Sequence, residues 1–354
     1  MPSDHREQPA DVVRVGETAP DSVSVGDTAA DVVCLGETMA VLAPPDARPL
    51  AEQPALALGI GGAESNVACG LAALGHRVAW LSRVGDDPFG RRILAELTAR
   101  GVDVSAVRTD PVRPTGVYFK DPGPDGTRTH YYRAGSAATA MGPELAAHPA
   151  VRRAHIVHVS GITAALSATC ANLLETLMAR DRRQGRESAA RYHPRVSFDV
   201  NHRPALWRDG DAARTLLALA RAADIVFVGR DEAEALWGTA RPDDIAGLLG
   251  PAPLVVVKDA EHGATSYAEG IRTFVPSVPT DVVEPVGAGD AFAAGYLAGV
   301  LEERDERSRL RLGHQAAAAA LRTRDDVPLL PPRDEIDQLL APDEEFTGAR
   351  VRLQ

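Results

Sequence analysis

The sequence predicts an α/β fold: a mostly parallel sheet covered by helices on both faces, carrying a small second sheet. Three observations predict it. From Asp31 onward, short apolar runs alternate with helical patterns. The runs are apolar on both faces, as buried parallel strands are, rather than alternating as half-exposed strands would. Two stretches, Pro44–Leu58 and Thr115–Arg133, break this rhythm, and the second sets strand-forming pairs on either side of a Pro/Gly turn.

In chain order, the strands are expected at Val32–Leu35, Val78–Ser82, His155–Ser160, Val196–Val200, Ile225–Val228 and Leu254–Lys258. The helices between them are expected at Glu64–Leu74, Pro88–Arg100, Ala168–Arg180, Ala212–Ala222 and Ala233–Trp237. A repeat precedes the first strand. DVVRVGETA begins at Asp11, DSVSVGDTA at Asp21 and DVVCLGETM at Asp31, and only the third copy runs on into the pattern. A sheet needs one first strand, so residues 1–30 are expected to form a disordered tail. Residues 31–340 then make the main domain, with lid segments at about 44–58 and 113–134. Residues 341–354 form a C-terminal tail, and the Pro-rich, charged segment after Arg324 is expected to wrap the surface.

Composition narrows the function classes. Asp and Glu number 49 against 38 Lys and Arg, a net charge of −11, so the overall field repels nucleic acid and anionic membrane, and neither is an expected partner. Any anionic substrate must be held by local cations or backbone N–H groups. Nearly all the positive charge is arginine, since Lys120 and Lys258 are the only lysines. Cys34, Cys69 and Cys170 are too widely spaced for a C-x-x-C pair, which suits a reducing cytoplasm. No run of about 18 apolar residues offers a membrane span.

The strongest local motif is Glu284-Pro-Val-Gly-Ala-Gly-Asp-Ala-Phe292, followed by the apolar stretch Ala293–Leu301. Gly287 and Gly289 before a helix remove the Cβ atoms that would keep an anion from the unpartnered N–H groups of the first turn. Asp290 then has two readings. It caps the helix, or it faces an attacking hydroxyl and takes its proton while the glycine amides hold charge developing on a phosphoryl group. No G-x-x-x-x-G-K-[ST] or complete G-x-G-x-x-G is present, so a nucleotide would be bound in another way. Gly61-Gly62-Ala63-Glu64-Ser65-Asn66 is either a tight turn capping a helix or a place where a ligand approaches backbone, with Asn66 bonding hydroxyls. Asp199-Val200-Asn201 sets two polar side chains at the carboxyl end of a strand, where ligands of open α/β sheets bind. Arg133 and Arg203 could clamp a carboxylate, or lie in solvent. His155 and His158 fall on opposite faces of a strand and do not make a metal pair.

Several stretches together, in this order, carry a family resemblance: GGAESNVA from Gly61, YYRAGSAA from Tyr131, VHVSGITAAL from Val157, DVNHRPALW from Asp199 and VGAGDAF from Val286. From about Asp31 to Pro331 the chain resembles the ribokinase-like (pfkB-type) carbohydrate kinases, and among them the 2-keto-3-deoxygluconate kinases. The resemblance implies a Rossmann-like main domain with a small β-sheet lid, using ATP and Mg2+, and a monovalent cation in some members, to phosphorylate a sugar hydroxyl. By resemblance, Asp290 is the base and Gly287, Ala288 and Gly289 form the anion hole. Gly62 and Asn66 hold sugar hydroxyls, Tyr118 and Tyr132 form the lid face, and Arg133 and Arg203 hold an acid sugar's carboxylate. Lys258 and Gly263 lie near the nucleotide with the turn around Ala288, and Glu234 acts on Mg2+ through water. Asp231 stands where that acidic element usually has Asn, and Glu284 where Asp usually precedes the anion hole. The expected substrate is a small-molecule sugar or sugar acid, foremost the terminal hydroxyl of 2-keto-3-deoxygluconate. A kinase of a neutral sugar such as fructose and a non-catalytic sensor are the alternatives. A homodimer through the lid is expected by analogy.

Overall fold

The computed structural model describes residues 29–46, 48–123, 126–179, 193–207, 211–250, 254–323, 335–336 and 351–352. The first two copies of the N-terminal repeat, at Asp11 and Asp21, lie outside them, as do residues 341–350. The third copy forms the strand Val32–Leu35, all four residues buried. It pairs in parallel with Ile156–Ser160 on one side and Val78–Leu81 on the other. Parallel pairing continues through Arg195–Asp199, Ile225–Gly229 and Leu254–Asp259, and at the opposite edge to Val102–Asp103. These strands include all six expected from the apolar runs.

Strand periodicity of two divides the core. Val32 and Cys34 face one layer, with helices Ala63–Ala73, Pro88–Ala99, Ala288–Leu301 and Glu306–Leu321. Val33 and Leu35 face the other, with Ala168–Met178, Ala212–Ala222, Arg230–Trp237 and Pro242–Leu249. The helix Ala288–Leu301 is buried along nearly its whole length, which explains its apolar sequence.

One edge of the sheet is not parallel. Gly263–Ala268 and Ile271–Pro276 form an antiparallel hairpin beside Leu254–Asp259, and Val351–Arg352 adds to its outer strand. The described part of the C-terminal tail therefore joins the sheet edge instead of only wrapping the surface.

The small sheet has the order Ala57–Gly61, Met39–Ala43, Val117–Gly123, Gly126–Tyr132. Its second pair falls inside the expected segment 113–134. Its first pair does not coincide with 44–58, most of which is the connection between two strands and contains the short turn Leu50–Glu52. The reason is chemical: Pro44, Pro45, Pro49 and Pro54 lack the N–H that a ladder needs, so pairing occurs on either side of them. Register in the second pair sets Tyr118 opposite Tyr131 and Val117 opposite Tyr132.

Candidate active site

The helix Ala288–Leu301 begins at Gly287, whose φ of 85° is left-handed and favours glycine. The first-turn amides of that helix lie at the carboxyl end of the parallel sheet. A methyl group on Gly289 would meet only the Lys258 Nζ at 3.4 Å, so its missing side chain leaves open space beside a cation. Gly289 thus lies beside Lys258 at the start of the helix, a combination that suits a cradle for negative charge. Gly263 is placed differently. Its absent Cβ would stand 2.3 Å from the Val275 carbonyl oxygen, so its glycine is required by the neighbouring strand and opens no space for a nucleotide.

Asp290 projects from the first turn and does not cap the helix; the cap position is Gly287. Its Oδ2 accepts a hydrogen bond from the Asn66 amide nitrogen at 2.8 Å. Burial raises the Asp290 carboxyl from 3.8 to about 7, with Asp199 pushing the same way and Asn66, Arg203 and Lys258 opposing. A carboxylate of this basicity suits proton abstraction near neutral pH.

Behind it lies a second charged group. Lys258 Nζ donates to the buried Asp199 Oδ2 at 2.8 Å. Burial pulls the Lys258 ammonium down, but Asp199 and Glu232 outweigh it, and its pKa is raised. Glu232 is itself raised, by burial first and by Asp199 second, and its two oxygens accept from the backbone N–H groups of His202 and Gly229, each at 2.9 Å. The expected metal-associated acid, Glu234, is exposed, as is Asp231. Two residues along a helix is about 200°, so Glu232 and Glu234 face opposite ways. Glu232 is the acid that lies near Asp199, Lys258 and Arg203. Among the described residues, no group of three or more His, Cys, Asp and Glu could cage a metal ion.

The sugar side also needs correction. Asn66 is buried at the site, and its Oδ1 accepts from the Gly62 N–H at 3.4 Å. The residue Gly62 is a glycine because a Cβ would fall 2.2 Å from the Glu37 carbonyl oxygen, a close approach of chain to chain. Tyr118 is buried, with its ring 5.5 Å from that of Tyr131 on the same face of the small sheet. Tyr132 points to the other face, against Phe119, and is 69% exposed. Tyr131, not Tyr132, shares the face of Tyr118, because antiparallel partners share a face and successive residues do not. Arg133 is buried and paired with Glu37, so it is not a free clamp. Arg203 is half-exposed, 3.9 Å from the Glu232 carboxylate, and remains the more available cation at the mouth. Thr127, at the tip of the small sheet, donates to Glu284 Oε2 at 3.3 Å, which brings that sheet to the segment preceding the cradle.

Comparison with known proteins decides the family. The family model described as pfkB family carbohydrate kinase matches residues 29–331. The chain belongs to the pfkB family of carbohydrate kinases. It is 37% identical over 292 residues to a 2-dehydro-3-deoxygluconokinase of Bacillus subtilis, covering 80% of this chain and 87% of that protein. It is 31% identical over 303 residues to fructokinase-1 of Zea mays, covering 82% and 91%. Among solved structures, a PfkB protein from Polaromonas sp. JS666 superimposes with a TM-score of 0.76 at 35% identity, covering 87% of this chain and 99% of that one.

Within this pfkB carbohydrate kinase, two residues at the centre escape sequence reasoning, Glu232 and Tyr131. The spacing Gly229-x-x-Glu232 is a capping-box spacing and marks Glu232 weakly, since glycine lacks the usual capping side chain. Tyr131 is marked only once hairpin register is known. Among the described residues, no helix is long and apolar enough to cross a membrane.

Proposed function

We propose that this carbohydrate kinase transfers the γ-phosphoryl group of ATP to the terminal hydroxyl of a sugar acid, with 2-keto-3-deoxygluconate as the substrate. One observation carries the reading: a half-buried carboxylate with a pKa raised to about 7, Asp290, lies in the first turn of the helix whose opening Gly289 stands beside Lys258. Asn66 orients Asp290 through their hydrogen bond. Asp290 takes the hydroxyl proton as the sugar oxygen forms its bond to phosphorus and the bond to the departing ADP oxygen breaks. The amides of Gly287–Gly289 and the Lys258 ammonium stabilise the charge that builds on the transferred group. Bound Mg2+ supplies further neutralisation of phosphate charge, and Glu232 is the residue suited to bind its water shell. Positioning and electrostatics, with no covalent enzyme intermediate, account for the chemistry.

The acid-sugar preference rests on Arg203 at the mouth and on the Bacillus subtilis relative's name. The maize relative's name keeps fructose in view, and a non-catalytic sensor would have no use for a base of this kind. ADP release measured across 2-keto-3-deoxygluconate, fructose and other sugars tests all three. Fastest turnover on the sugar acid is the expected result. Preference for fructose would replace the substrate, and no transfer to any sugar would remove the kinase reading. Homodimerisation through the small sheet would use its outer face, where Leu50, Phe119, His130 and Tyr132 border a hollow of 280 Å3. Light scattering of the purified protein measures it, and a monomer would exclude it.

A further inference from the structure

Four segments of chain join the small sheet to the rest of the fold, and three of them converge on a side chain, or its backbone, in the remaining one. Glu37 lies in the first crossing, 2% exposed, between the strands Val32–Leu35 and Met39–Ala43. The second crossing is Gly62, whose missing Cβ admits the Glu37 carbonyl oxygen and the Thr38 Cα. The third contains Gly116, where a Cβ would lie 2.8 Å from Glu37 Oε1 and 2.9 Å from Met39 Cγ. The fourth, running out of Gly126–Tyr132, supplies Arg133 to one carboxylate oxygen and the Ser136 hydroxyl to the other. Backbone bonds tie the same crossings together: the Ala40 N–H donates to the Gly116 oxygen at 3.0 Å and the Ala137 N–H to the Pro114 oxygen at 2.8 Å.

A buried ion pair is a poor way to gain stability, since apolar residues of like volume serve as well or better. What it provides is direction. The Glu37 carboxylate sets the Arg133 guanidinium, which lies 5.7 Å from the centre of the Tyr131 ring, and Tyr131 packs on Tyr118. A continuous set of contacts thus leads from Glu37 to the inner face of the small sheet. We propose that Glu37 is a positioning residue for the sugar site, fixing where Arg133, Tyr131 and Tyr118 stand on the inner face of the small sheet. This rests on reading the space between the small sheet and Asp290 as the place where the sugar binds.

Glu37→Gln keeps the volume and the acceptor for Ser136 but removes the charge that holds Arg133. Steady-state kinetics would use whichever sugar the unaltered protein phosphorylates fastest. The sugar KM is expected to rise about fivefold or more, while the ATP KM changes less than about twofold. A merely structural role would lower the melting temperature and the active fraction and leave the sugar KM of the surviving enzyme unchanged. Gly116→Ala gives a second approach should Glu37→Gln fail to fold, because it keeps every charge and pushes a methyl group against the carboxylate. It is expected to raise the sugar KM in the same selective way. A smaller rise in the sugar KM, or equal rises for sugar and ATP, in a folded variant would overturn the proposal. Which sugar is preferred comes from the unaltered protein alone, so a preference for a neutral sugar would end the sugar-acid reading and leave this one standing.

Discussion

Replacing Asp290 by Asn keeps the size of the side chain and a partner for Asn66 but removes the proton acceptor. The structure gives the scale of the effect. Burial lifts the carboxyl from 3.8 to about 7, and at about 1.4 kcal/mol per pH unit that is about 4 kcal/mol of added proton affinity. A base of that strength at the hydroxyl is worth about 10²–10⁴ in kcat. The sign with pH follows. The raised carboxyl is protonated and inactive as a base well below 7 and ionised above it, so kcat/KM for the sugar should rise tenfold per pH unit up to about 7 and then level. The same raised pKa makes ionised Asp290 a liability for the fold: the stability contributed by the protonated carboxyl is complete below pH 3.8 and is lost as pH rises through about 7. Asp290→Asn should therefore gain in melting temperature relative to the parent more at pH 8 than at pH 5. ADP release followed from pH 5 to pH 9 for both proteins is the assay. A kcat within tenfold of the parent, or an unchanged acid limb in the variant, would refute Asp290 as the base.

Other outcomes follow from the same contacts. Asn66→Ala removes a donor to the carboxylate, so the acid limb of the pH profile should move upward and kcat/KM fall by about tenfold or more; an unmoved limb would show that the 2.8 Å bond does not tune the base. Arg203→Ala should raise the KM for a sugar acid by about tenfold and leave that for fructose unchanged, whereas equal effects on both would deny it a carboxylate. Arg133→Ala should do more damage to stability, because it leaves Glu37 buried and unpaired at a cost of about 3–5 kcal/mol, readable by denaturant melts. Glu232→Gln should lower kcat and raise the Mg2+ concentration needed for half-activity, while Glu234→Gln should stay within about twofold of the parent; the reverse order would restore Glu234 to the site.

The main sheet follows from residue order. Runs such as Val32–Leu35 and Ile225–Gly229 are apolar at every position, and only burial on both faces satisfies that, so parallel strands between helices were legible without coordinates. Legible too was the motif from Gly287 to Asp290, because the glycines, the acid and the helix lie within four consecutive residues and local chemistry relates them. Relations across long separations, or between faces of one element, arise instead in the folded chain. Asn66 and Asp290 meet across 224 positions, and Lys258 and Asp199 across 59. Whether Glu232 or Glu234 enters the site depends on which side of a helix of 3.6 residues per turn packs on the sheet, and Tyr131 against Tyr132 depends on a strand register that a one-residue slip would invert. Arg133 shows the limit most plainly: an arginine in a promising motif reads as a free cation until the fold brings Glu37 against it, 96 residues earlier in the chain and buried where no solvent competes.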